Sequence, residues 1–191
     1  MPASSEFLIL RRFTVGDDDL LVKAYGQVGR VKLFVPKGAS VEGGYVGLFE
    51  PFNIVDVSYK QSGQVLLVKD IRRVVFLSYL ALQSYSGFIW MSRVGEFVEK
   101  WFFQYEPELF SLAIEYLQKE PNDHELGLLK LKLSYLQKIG LYKLESFQVG
   151  VRPIVNRLLE EDISKLSRIR LSKKQVLEIE KTIDTQLSSL L

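Results

Sequence analysis

The residues best suited to chemistry are cations and aromatics alternating along two short segments, Leu20–Tyr25 (LLVKAY) and Arg30–Val35 (RVKLFV). Treating 26–29 (GQVG) as a four-residue hairpin turn sets Tyr25 opposite Arg30, Lys23 opposite Lys32 and Leu21 opposite Phe34. Alternation sends Leu20, Val22, Ala24, Val31, Leu33 and Val35 inward and leaves Lys23, Tyr25, Arg30, Lys32 and Phe34 on one outer face. Like charges directly opposite one another are unfavourable. A polyanion laid over them removes that repulsion, and the aromatics offer bases a stacking surface. The chemistry expected is therefore retention of single-stranded nucleic acid, with Lys37 extending the groove and Arg11 or Arg12 at its edge. About four neutralised phosphates predict a log-log salt slope of about −3, from roughly −0.7 per contact. The competing expectation is a polar outer face whose two aromatics pack on neighbouring helices.

Two more cationic stretches lie in the C-terminal half. Lys130, Lys132, Lys138 and Lys143 fall in a run without acids, and so do Lys165, Arg168, Arg170, Lys173 and Lys174. Such runs are usually solvated surface. The second run adjoins an apolar stripe, Val176, Ile179, Ile183, Leu187 and Leu190, and a basic rim around an apolar pocket suits an acidic partner peptide with an apolar end.

Enzymatic patterns are missing. The sequence has no cysteine, which excludes disulfides, a thiol nucleophile and thiolate zinc sites, and its one histidine, His124, excludes two-His metal sites and relays. No two glycines are spaced as GxGxxG requires, and no phosphate loop of the GxxxxGK[ST] kind occurs. Asp17, Asp18 and Asp19 could ligate a hard cation, but an acidic triplet between strands is usually a solvated turn, and Glu160, Glu161 and Asp162 do not share a helix face. The expectation is a binding protein, not an enzyme, with no metal and no cofactor.

The elements that must hold these residues change character part-way along the chain. Glu6–Phe13, Leu20–Tyr25, Arg30–Val35, Phe52–Tyr59 and Val65–Lys69 are β-branched or aromatic runs separated by Gly and Asp. Five strands without helical crossovers predict a small closed barrel of the OB type over about residues 5–72. After Phe76 the pattern is helical. Pro107 opens one helix, Asn122 with Glu125 caps a second that Gly140 stops, and Ser172 with Gln175 caps a last one. The expected class is α+β, an OB-fold at 1–75 followed by an all-α domain at 76–191, with no flexible linker between them. At 191 residues, 47% hydrophobic and 25% charged, the chain supports a folded core.

The uncharged run Val74–Ser92 approaches the length of a membrane span, but its serines, Gln83 and Gly87 favour a buried helix. No signal peptide is expected at Met1–Glu6, and the absence of cysteine suits a reducing cytoplasm.

Taken in order, several segments resemble the bacterial RecO recombination mediators. They are the opening FLILRR, the acidic turn GDDDLL, GRVKLFV running into Lys37-Gly38-Ala39, GLFEPF at Gly47–Phe52, PELFSLAIEYL at Pro107–Leu117, and LLKLKLSYLQKIGLY at Leu128–Tyr142. The resemblance covers essentially the whole chain. It implies an OB-fold plus helical domain that binds single-stranded and duplex DNA, anneals strands and loads recombinase with RecR and single-strand-binding protein in the cytoplasm at the nucleoid. Given what the resemblance implies about the acidic tail of single-strand-binding protein, the basic run Lys165, Arg168, Arg170, Lys173 and Lys174 beside the apolar stripe is expected to receive it. Two departures stand out. The four-cysteine zinc module of many relatives is absent between Leu144 and Gly150, and Ser40–Tyr45 (SVEGGY) lacks the cations that relatives place there. Both suggest an alternative, a scaffold of the same pathway with weakened DNA binding.

Overall fold

A computed structural model describes residues 3–190. Two compact units form, Met1–Gln118 and Lys119–Leu191.

The first unit begins with five strands, β1 Ala3–Val15, β2 Asp19–Gly26, β3 Gly29–Val35, β4 Ile54–Ser62 and β5 Val65–Val75. They close into a barrel in the order β1-β2-β3-β5-β4, the expected OB-fold. β1 is long enough to serve two neighbours, pairing through Phe7–Val15 with β2 and through Ala3–Leu8 with β4. A bulge between Ile9 and Arg11 helps it turn from one to the other. The hairpin β2–β3 has the register read from the sequence, with Lys23 opposite Lys32 and Tyr25 opposite Arg30. The seam between β3 and β5 is parallel and short, consisting of Leu33↔Leu66 and Phe34↔Leu67. Inside the barrel lie Ile9, Leu20, Val22, Ala24, Leu33, Val35, Val55, Val57 and Val68, sealed by Phe7 and Phe49. Alternating apolar residues on every strand make this core, and burying each such side chain contributes about 1.5–3 kcal/mol.

Three helices belong to the same unit: α1 Ser78–Ala81, α2 Tyr85–Trp101 and α3 Pro107–Gln118. Ser84 caps α2 by accepting from the Gly87 amide. Trp90, fully buried, donates its indole N–H to the Tyr116 carbonyl at 2.7 Å and thereby ties α2 to α3. The Val74–Ser92 run is thus divided among the end of β5, α1 and the first half of α2. Among the described residues no helix is long and apolar enough to cross a membrane.

The second unit is helical: α4 His124–Lys138, α5 Arg152–Glu160 and α6 Lys173–Ser188, with short 3-10 turns at Leu144–Ser146 and Ile163–Arg168. The α4 cap is Asp123, one residue beyond the expected Asn122; its carboxylate accepts from the Leu126 amide. Gly140, at φ 72°, takes the left-handed conformation that ends α4. The Ser172/Gln175 capping box of α6 is complete. The change from strand to helix falls at Val75–Ser78, near the expected domain limit, whereas compactness divides the chain 40-odd residues later, after Gln118.

Candidate nucleic-acid interface

The outer face of the hairpin is not uniform. At its tip the face is covered. The chain leaving α2 lies against it, so that the Arg30 amide donates to the Phe103 carbonyl at 3.1 Å. Gly29, at φ 83°, has the space for this because a Cβ there would stand 2.9 Å from that same carbonyl oxygen. Tyr25 is fully buried. Its hydroxyl donates to the Gln104 carbonyl at 3.0 Å, and its ring contacts Phe102, Tyr105 and Phe110. The expectation that Tyr25 stacks on a base is therefore corrected: this aromatic packs on the helical segment, as the competing reading had it.

Four cations of the expected site are also engaged. Glu99, in the last turn of α2, receives Lys23 at 2.7 Å on one carboxylate oxygen and Arg11 at 2.5 Å on the other. Burial works to raise the Glu99 pKa, but the hydrogen bond and charge of Lys23 and the charge of Arg11 outweigh it and hold the carboxyl below its ordinary value. Arg30 donates to the Glu99 carbonyl, one of the last carbonyls of α2 that lack a helical partner, and lays its guanidinium 4.6 Å from the centre of the Phe103 ring. Arg12, on the other side of β1 by alternation, pairs with Glu50 at 2.9 Å.

Farther from the tip the same face is open. A single cross-strand row runs Phe13↔Leu21↔Phe34↔Leu67↔Lys60 around all five strands. Phe13 is 46% exposed, Leu21, Phe34 and Leu67 are half-buried, and Lys60 is exposed. Lys32 is exposed one row nearer the tip, and Lys37 is exposed just past the end of β3. Neither makes an ion pair among the described residues. Lys37 has a left-handed φ of 53°, and its amide donates to the Asp19 carboxylate at 2.8 Å. Of the sequence-derived site, Lys32 and Phe34 thus share the open part of the face and Lys37 is exposed in the turn beyond it, whereas Lys23, Tyr25, Arg30 and Arg11 lie under or against α2 and its exit.

Phe13, Leu67 and Lys60 were missed. Their place depends on the closed strand order, which two separate hairpin patterns do not reveal. The Phe ending FLILRRF was the one available signal.

In the second unit, Lys165, Arg168, Arg170, Lys173 and Lys174 are all exposed and lie on the 3-10 turn, the connector and the first turn of α6. Of the apolar stripe beside them, Ile179, Ile183 and Leu187 are at most 1% exposed, Val176 is half-buried and Leu190 is 38% exposed. The expected pocket is therefore closed along the middle of the stripe. Lys130 and Lys132 are structural as well. Lys130 donates to the Leu158 and Leu159 carbonyls, and Lys132 reaches Glu180 and Asp184. Among the described residues no group of three or more His, Asp and Glu gathers where a metal ion would be held. Asp18 and Asp19 instead anchor the turn after β3, the first through its carbonyl and the second through its carboxylate.

No protein-family model matches this chain. An uncharacterized protein of Aquifex aeolicus (strain VF5) is 37% identical over 134 residues, which are 70% of this chain and 63% of that relative. The chain therefore spans less than two thirds of the relative it matches.

Proposed function

We propose that this protein is a non-enzymatic recombination and repair mediator of the RecO kind, holding single-stranded DNA on the open outer face of its barrel. The observation that carries this reading is the continuous row Phe13, Leu21, Phe34 and Leu67, with Lys32, Lys37 and Lys60 around it. Apolar and aromatic side chains give bases a stacking surface without sequence preference, and lysines beside them hold phosphates. Duplex binding, strand annealing and recombinase loading with RecR belong to the same proposal. So do docking of the single-strand-binding protein tail on the five cations of the second unit, by charge rather than in a pocket, and a place at the nucleoid.

With Lys23 and Arg11 held by Glu99, about three phosphates remain to be neutralised, which lowers the expected salt slope to about −2. Anisotropy of a labelled oligothymidylate, titrated at several salt concentrations, tests the reading. A slope near that value, with affinity lost in Phe34→Ala, supports it; a flat salt response, or affinity unchanged in both Lys32→Ala and Phe34→Ala, refutes it.

The capture of Lys23 and Arg11, together with the burial of Tyr25, favours a second reading in which DNA binding is weak and protein contacts carry the function. A titration that stays unsaturated at low salt while RecR binds would decide for this scaffold.

A further inference from the structure

A groove of about 480 Å³ opens in the first unit between the barrel and α1–α2, in the range of roughly 300–1,000 Å³ typical of ligand sites. Its walls are mainly apolar, formed by Leu10, Pro51, Phe52, Ala81, Leu82 and Phe88. The floor is built rather than incidental. Phe52, at a left-handed φ of 76°, donates its amide N–H to the Ile9 carbonyl at 2.8 Å, and its ring lies over Gly95 with no room to spare, 3.3 Å from where a Cβ would stand. Buried Asn53 fixes the next residue, donating to the Gly47 and Leu48 carbonyls and accepting from the Ser78 amide at the start of α1. A strained non-glycine residue persists only where its surroundings hold it, and such residues gather at functional sites.

The apolar surface extends past the groove. Leu82 is 86% exposed and Phe88 46%, while Tyr79 and Tyr85 on the same two helices are 54% and 80% exposed. Exposed apolar residues grouped beside a cleft mark interaction sites. An occupant that covers them is larger than the groove, which argues for a chain segment rather than a small molecule.

Charge identifies its chemistry. The ionisable groups lining the groove are Glu50, Glu96, Glu99 and Arg11, three acids and one base in a chain whose net charge is +2. Glu50 is paired with Arg12, and Glu99 with Arg11 and Lys23. Glu96 is exposed at the rim and has no cationic partner among the described residues. With Glu50 and Glu99 already matched by three cations, Glu96 is the lining carboxylate left to meet an incoming cation.

We propose that this groove docks a partner protein through a segment with a large apolar side chain next to Lys or Arg, the apolar group entering over Phe52 and the cation meeting Glu96. The site lies apart from the row Phe13–Leu67 and does not depend on the nucleic-acid reading.

The test uses the full chain, isotope-labelled, with three synthetic peptides that share a central Trp-Leu pair flanked by lysines, glutamates or serines. The lysine peptide should shift the amide signals of Phe88, Gly95 and Glu96 at sub-millimolar concentration, and bind at least tenfold more tightly than the serine peptide. Glu96→Lys, an exposed change that leaves the fold intact by its melting curve, should reverse the preference towards the glutamate peptide. Ser92→Trp, which fills the groove, should remove binding of all three. The proposal is overturned if the glutamate peptide binds the wild type as well as the lysine peptide does. It is equally overturned if shifts map away from the groove, if nothing binds at millimolar concentration, or if sedimentation shows a dimer that Ser92→Trp abolishes.

Discussion

Lys23 and Lys32 are the same residue type, directly opposite each other on adjacent strands of one face, yet their surroundings differ completely. Lys23 is held by a carboxylate 76 positions away, whereas Lys32 stands exposed. The aromatics of the same hairpin divide in the same way: Tyr25 is sealed beneath the exit from α2, and Phe34 remains half-open beside Leu67. The difference shows that a strand face is divided into covered and open parts by whatever element packs over one end of it. Here that element is the C-terminal turn of α2.

The sharpest way to break this contrast is Tyr25→Ala. Removing a fully buried aromatic with three ring neighbours should cost about 3–5 kcal/mol of stability, read from urea unfolding. A variant of unchanged stability that lost oligonucleotide binding would show Tyr25 to be a stacking residue after all. Phe34→Ala should behave oppositely, weakening oligothymidylate binding by about 1–3 kcal/mol with the salt slope retained, since stacking releases no counterion. Its stability should fall far less than that of Tyr25→Ala.

Glu99→Gln should blur the contrast by freeing Lys23 and Arg11, steepening the salt slope by up to about 1.4 from two added contacts of roughly 0.7 each. Acid sharpens the same point. The Glu99 carboxyl lies below its ordinary 4.5 in the folded protein, so the stability it contributes is complete above that value and is lost as pH falls through the lower, folded one. Thermal melts from pH 5 downward, a range following from that shift, should therefore drop more steeply in the wild type than in Glu99→Gln. The smallest effect separates the two lysines themselves: Lys32→Ala should make the slope shallower by about 0.7, and Lys23→Ala should leave it unchanged. Equal slopes in both would erase the distinction.

Much of the barrel was legible because its information is local. The GQVG turn sets the hairpin register, and alternation from it assigns the inward residues correctly through Val35. What covers the hairpin is not local. Glu99, Phe103 and Gln104 lie more than 65 positions beyond the residues they contact, and nothing in LLVKAY distinguishes a lysine that will meet a carboxylate from one that will meet water. The α4 cap shows the limit at its finest scale. Asn122 and Asp123 are adjacent and both cap well, and only the backbone path selects the aspartate. On α6 the period of the apolar stripe was readable, but whether a stripe faces solvent or a neighbouring helix is a property of packing. Here α4 contacts α6, and Ile179, Ile183 and Leu187 are buried while Leu190 stays exposed.

The parallel seam between β3 and β5 has a dynamic consequence. It is the barrel's shortest ladder, two residue pairs against the nine of β4–β5, and it joins segments brought together only after the long 36–53 connection has folded back. Opening there is the least expensive way to uncover strand edges, so the amides of Phe34 and Leu67 should exchange with solvent sooner than those of the β1–β2 ladder. Phe34 and Leu67 also stand at the centre of the proposed DNA row. A strand laid across them would act as a staple on the barrel, slowing exchange at the seam in proportion to its occupancy and linking the grip on a ligand to the closure of the fold.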